Sequence, residues 1–186
     1  MALTTAQLAT IKADILANPD LNSQPMSNLG SLAIAALYNT ASTTDVWRTD
    51  VSVNAIHDGI DYSKFTPQDA VDATILCTNR LLSIQTKQMN LQSLLQGRAT
   101  QDASKANFRA AVRDAVTALP AGASGAATSA AGASGINALT PMVRKATRFE
   151  KLFAGGDATT GPVTAKLLIV EGTVSGDDIQ TAREMV

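Results

Sequence analysis

Apolar residues recur at helical spacing through most of this chain, and polar punctuation divides them into separate runs. Leu8, Ile11 and Ile15 share a face between a Thr4/Gln7 capping-box pair and the Asn18-Pro19 stop, which predicts a helix over 5–17. After the turn NPDLNSQP, Ser27 has the place of an N-cap for a second helix reaching Tyr38. The centre of that helix, SLAIAAL, is apolar almost all round and is expected to be buried, with Gly30 a minor weakness near its first turn.

Residues 40–44 read as a polar loop, and VWRTDVSV lacks a clean two-residue period, so it is expected to be a short extended or helical passage. Asn54 has the place of a cap for a short helix containing His57 and ending near Gly59. The longest signal spans 66–119. Thr66-Pro67-Gln68-Asp69 combines a hydroxyl cap, proline at the first helical position and an early carboxylate, so helix is expected over 67–96, with Gly97 as its left-handed stop. A second run, 104–119, places Phe108, Ala111, Val112, Ala115 and Leu119 on one face, away from Lys105, Arg109 and Arg113, and ends at Pro120. The short link between the runs predicts an antiparallel helical hairpin.

The segment AGASGAATSAAGASG is low in complexity and reads as a loop or hinge, or as a close-packed alanine helix where neighbours cover it. Thr140-Pro141 then repeats the hydroxyl-proline start, and PMVRKATRFEKLFA is expected to be helical up to Gly155-Gly156, burying Met142, Ala146, Phe149 and Phe153. Arg144, Lys145, Arg148 and Lys151 would occupy the remaining surface of that helix, either as an ordinary solvated face or as a contact for an acidic partner or DNA. The run VTAKLLIVEGTVS, with Leu167, Ile169 and Val170, is the best strand or hairpin signal; alone it needs a pairing partner from this chain or a neighbour. Ser175 and Asp178 open a final short helix.

These elements predict a mainly α fold: a helical bundle over 1–120 built around the long hairpin, a Gly/Ala/Ser-rich linker over 121–139, and a basic helix with a small C-terminal β extension over 140–186. Composition changes the picture in one respect. The chain is 45% hydrophobic but 4% aromatic, so its core relies on alanine and aliphatic side chains, and contacts with other subunits are expected to supply part of its stability. Trp47, the single tryptophan, is expected to be a packing anchor within the core or between subunits.

A formal net charge of -1 argues against a chain whose main business is coating nucleic acid. One cysteine, Cys77, cannot form an internal disulfide, which fits synthesis in a reducing cytosol. The first residues lack the basic and apolar regions of a signal peptide, and no run is long enough for a membrane span, so neither export nor membrane insertion is expected.

Candidate chemistry is sparse. A single His57 and a single Cys77 leave no zinc spacing, and there is no phosphate-cradling or nucleophile-elbow motif. The carboxylate pairs Asp69/Asp72 and Asp177/Asp178 fall at predicted helix starts, where orphan amides already explain an acid. Neither an enzyme nor a cofactor is expected.

Several stretches, ALTTAQLATIKADILANPDLNSQPMSN, VWRTDVSV, NLQSLLQGR followed by SKANFRAAVRDAVTALPAGASGAA, RKATRFEKLFA and EGTVSGDDIQTAR, together resemble a family of tailed-bacteriophage virion-structural proteins. The nearest resemblance is to the adaptor type of head-to-tail connector. It implies a virion protein made in the bacterial cytoplasm, a homo-oligomeric ring of about twelve copies, and portal and tail proteins as partners, with sequence-independent DNA contact as a further role for the basic residues. In that setting Arg144, Lys145, Arg148, Lys151, Leu167, Ile169 and Val170 are the candidate partner-binding residues. A capsid decoration or cement protein, or another tail component, is the alternative role.

Overall fold

The computed structural model describes residues 3–65, 77–120, 127–128, 130 and 136–185. In chain order the elements are α1 (Thr5–Ala17), α2 (Pro19–Asn22), α3 (Asn28–Tyr38), β1 (Ala41–Trp47), β2 (Val51–Ser52), α4 (Val53–Asp58), α5 (Cys77–Leu95) and β3 (Thr100–Gln101). They continue with α6 (Ala106–Val116), β4 (Leu119–Pro120), β5 (Ala127–Thr128), α7 (Ile136–Leu139), β6 (Val143–Thr147), α8 (Arg148–Leu152), β7 (Ala154–Thr160), β8 (Val163–Leu168) and α9 (Gly176–Glu184). The predicted cap at 66–69, the Asp69/Asp72 pair and most of the Gly/Ala segment lie outside the described residues.

Four strands form a mixed sheet in the order β6-β1-β8-β7. β1 and β8 run parallel, with Val46 opposite Lys166. β1 and β6 run antiparallel, as backbone bonds at their two ends require: Arg48 N–H to Met142 O at 2.9 Å and Arg148 N–H to Thr40 O at 2.9 Å. The two-residue loop Gly161-Pro162 joins β7 to β8 as a hairpin, and Gly161 supplies the positive φ, 58°, that such a loop demands.

The fold is therefore an α/β mix, not the mainly helical bundle expected. Four elements account for the correction. Residues 41–47 are strand where a polar loop had been expected over 40–44; exposed Ala41, Thr43 and Asp45 alternate with half-buried Ser42 and Thr44, so the apolar alternation that betrays a strand is absent. The predicted basic helix is broken in two, because 143–147 pair with β1 and helix restarts only where Thr147 and Glu150 form a capping box. Gly155 and Gly156 belong to β7 and do not stop a helix. Finally, β8 is an interior strand with β1 on one side and β7 on the other, so it does not await a neighbouring subunit.

The chain divides into two compact units, each with its own core: Met1–Thr44, Lys145–Gly155 and Leu168–Val186, and Asp45–Arg144 with Gly156–Leu167. In the first, α9 packs against both α1 and α3. Ile11, Ile15, Leu21, Ile34, Tyr38, Phe149, Val174 and Ile179 fill its interior. Capping boxes start α1, α8 and α9, as Thr4/Gln7, Thr147/Glu150 and Ser175/Asp178. The buried Glu150 carboxylate also accepts from Gly172 N–H at 3.1 Å, which fastens the loop before α9.

In the second unit α5 packs on α6, and Gly97, at φ 77°, turns the chain between them as the sequence predicts. The α6 helix stops at Val116, short of 119, because Leu119 and Pro120 pair with β5. β2 and β3 pair antiparallel, with Val51 opposite Gln101. The core holds Trp47, Ile56, Leu91, Leu95, Val112, Val116 and Met142. Arg109, placed by its charge on an outer face, is buried among them.

Candidate assembly surface

Helix α3 forms where Ser27 Oγ accepts from Gly30 N–H at 3.2 Å. Gly30 is a requirement of this start, since a Cβ there would lie 2.0 Å from the Pro25 carbonyl oxygen. From that point Gly30, Ser31, Ile34, Ala35 and Tyr38 turn inward. The Tyr38 hydroxyl donates to Asp14 Oδ2 at 2.8 Å, and burial followed by this bond pushes the phenol pKa up. At the C-terminal end the Asn39 amide donates to Val174 O at 3.0 Å, while its oxygen accepts from Val174 N–H at 3.1 Å.

Fixing the inward face fixes the outward one. Leu29 is 78% exposed and Leu32 52%, with Met26, just before the helix, at 73%. Ala36 continues the same row and is exposed; Ala33 beside it is partly so. The expectation that SLAIAAL is buried all round is thus wrong for one side. The α3 sequence, NLGSLAIAALY, contains no charged residue. Contiguous exposed aliphatic side chains on a neutral helix are a mark of protein–protein contact. A cavity of about 50 Å³ opens beside the row, lined by Met26, Ser27, Ser31, Gln180, Arg183 and Glu184. Arg183 is held there by donating to Gln24 O at 2.8 Å and Pro25 O at 2.9 Å.

The basic candidates do not share a helix face. Arg144 and Lys145 are consecutive in β6 and so point to opposite sides of the strand. Lys145 Nζ donates to Thr43 O at 3.2 Å. Arg148 opens α8 and donates to Asp20 Oδ2 at 2.6 Å, with its guanidinium 5.7 Å from the Tyr38 ring. The hydrogen bond from Arg148 holds the exposed Asp20 carboxyl below the usual carboxylate range. Lys151 is exposed in α8.

The apolar candidates separate as well. Leu167 packs against the core of the second unit and Val170 is buried in that of the first, whereas Ile169 is 75% exposed. Trp47 is a core anchor: its indole N–H donates to Ala158 O at 2.9 Å, and the Arg109 guanidinium stacks 4.3 Å from its ring centre. Arg109 itself donates to Thr160 Oγ1 at 2.9 Å, Ala103 O at 2.7 Å and Ser104 O at 2.8 Å.

Sequence reasoning missed Met26, Leu29 and Leu32 as surface and Arg109 as core. A helix apolar all round gives no wheel from which to choose its exposed side, although its lack of charge was visible. For Arg109 the signal existed: it precedes Val112 by three residues and Val116 by seven, on the face that α6 buries.

Among the described residues no group of three His, Cys, Asp or Glu side chains is placed to hold a metal, and no helix is long and apolar enough to cross a membrane. Comparison with protein-family models, curated proteins and solved structures returns no match.

Proposed function

We propose that this chain is a structural subunit of a tailed-bacteriophage virion, a head-to-tail connector that joins portal to tail through protein–protein contacts. The resemblance of its sequence stretches to that class supplies the position in the particle. The observation that carries the assembly role is the exposed aliphatic row Met26, Leu29 and Leu32 on a neutral, firmly held helix. An apolar surface of this kind gains by being covered, and the portal or a tail protein is the partner this reading assigns to it in the particle. The terminal strand has no part in the contact, since β8 is paired on both sides within the chain.

The test is to locate the subunit. A gold-labelled tag on this chain should mark the single head–tail junction of each particle, and the double variant Leu29→Glu, Leu32→Glu should remain helical yet fail to enter particles. Label spread over the head surface would replace the connector reading with a decoration role; absence of the wild-type chain from purified particles would overturn both.

A further inference from the structure

The Ser31 hydroxyl is buried without a hydrogen-bond partner among the described residues, in a side chain only 2% exposed. A serine inside a helix often donates to the carbonyl four residues back. Here that oxygen, Ser27 O, accepts the Ser31 backbone N–H at 3.0 Å and not the hydroxyl. Leaving such a group buried and unpaired is costly. Ser31 lines the cavity of about 50 Å³ together with Met26, Ser27, Gln180, Arg183 and Glu184, all within the first unit. We infer that this cavity is a binding site for a primary carboxamide.

Its walls differ in polarity. On the α3 side stand two hydroxyls, Ser31 and Ser27; the Ser27 Oγ accepts from Gly30 N–H at 3.2 Å and keeps its own proton to donate. This is also the positive end of the α3 dipole. Arg183 adds donors, because its bonds to Gln24 O and Pro25 O use two of the five N–H groups of a guanidinium. The last turns of α9 supply acceptors: Gln180 Nε2 donates to Glu184 Oε1 at 2.9 Å, which leaves Gln180 Oε1 and Glu184 Oε2 to accept from a ligand.

A carboxamide satisfies both sides at once. Its oxygen accepts from Ser31 and Arg183, and its NH2 donates to Gln180 and Glu184. A carboxylate would set its charge against Glu184, and an ammonium would set its charge against Arg183, so the balanced pair selects a neutral group with both functions. Size agrees. One water needs about 10–15 Å³ of such space, so the cavity has about three or four positions, and a carboxamide with its first carbon has four heavy atoms. Met26 supplies apolar cover for that carbon. The group belongs either to a free small amide or to an asparagine or glutamine side chain of another chain. The inference does not depend on where in a particle this chain sits.

Nuclear magnetic resonance titration of the isotope-labelled full chain with acetamide should shift the backbone signals of Ser31, Gln180 and Arg183 to saturation, with a Kd on the order of 10 mM. Acetate and methylammonium should bind about tenfold more weakly. Ser31→Ala, which removes only the hydroxyl, should weaken acetamide about tenfold. Glu184→Gln, at an exposed position, should raise acetate to the level of acetamide or above it, an exchange of preference that a merely structural residue would not produce. N-acetylasparagine methylamide, with the capped alanine as its control, separates the two sources: competition with acetamide assigns a side chain of another chain, and exclusion assigns a free amide. Acetamide shifts that stay linear to about 500 mM, acetate bound by the wild type as tightly as acetamide, or unchanged binding by Ser31→Ala overturns the inference. None of these results moves the gold label on the particle, so the two readings fail separately.

Discussion

Replacing Arg109 by alanine removes a cation that donates to three oxygens and covers one face of Trp47. The Ala103 and Ser104 carbonyls lose the donors that Arg109 gives them, at about 1–3 kcal/mol for each buried group left unpaired. Loss of the stacked guanidinium adds about 0.5–2 kcal/mol. Against this stands the desolvation that the buried guanidinium no longer suffers, which also explains why burial lowers its pKa. The acceptors are neutral, so no orphan charge is left behind, and the balance is a loss of about 3 kcal/mol from the unpaired carbonyls and the bared Trp47 face.

The assay is built in, because Trp47 is the only tryptophan and lies directly under the substituted residue. Its emission during urea unfolding follows the second unit, and with a slope of about 1–3 kcal/mol per molar urea the midpoint should fall by about 2 M. Two further variants separate the contributions. Arg109→Lys keeps the charge but not the fork and should cost about 1–3 kcal/mol. Arg109→Met restores most of the volume and still leaves the carbonyls without their donors, so it should remain at least about 2 kcal/mol below wild type. A methionine variant as stable as wild type would refute the reasoning, since packing volume alone would then account for the residue.

Two other outcomes follow from the first unit. Gly30→Ala drives a methyl group into the Pro25 carbonyl, which is backbone, and should lower the stability of that unit by about 2 kcal/mol in ellipticity-monitored unfolding; a change within experimental error would mean the approach to Pro25 is readily relaxed. The folded-state pKa of Asp20 lies below the ordinary value of 3.8 because Arg148 bonds its charged form. Its contribution is therefore complete above that value and is lost as pH falls through the depressed one. Asp20→Asn should unfold earlier than wild type near neutrality, and the gap should close in acid; a gap that persists below the folded pKa would assign the effect to something other than this ion pair.

The elements legible in the sequence are those whose signals are local. α1, α3 and α9 each begin with a side chain that satisfies an amide three residues ahead, and that chemistry needs no knowledge of the rest of the chain. The sheet was hidden because its pairing is distant: β1 lies beside β8, more than a hundred residues later. Its flanking strands also lack a telling composition. β7 reads AGGDATT, with two glycines and no large apolar residue, and is held as a strand by its hairpin with β8. The opposite error befell 143–147, where helix-forming alanine, lysine and arginine were overruled by pairing with β1. The site followed the same division: the α3 helix was legible, and which of its apolar sides stays uncovered depended on where α9, from the other end of the chain, comes to lie.

That last dependence bears on how α3 would serve in the proposed assembly role. The sequence left open that the terminal strand pairs with a neighbour, and a segment that orders only on binding loses backbone freedom at that moment, at about 1–2 kcal/mol per residue. The α3 face incurs little of that cost. Ser27 caps it, Tyr38 is tied to Asp14, Asn39 is joined twice to Val174, and Leu32 lies against Gly176, where a Cβ would come within 2.8 Å of its side chain. Because the helix is held in one conformation before any partner arrives, little of the binding free energy in the proposed contact would go into ordering it. A partner then gains affinity by adding area around the row, and needs no rearrangement of the helix that carries it.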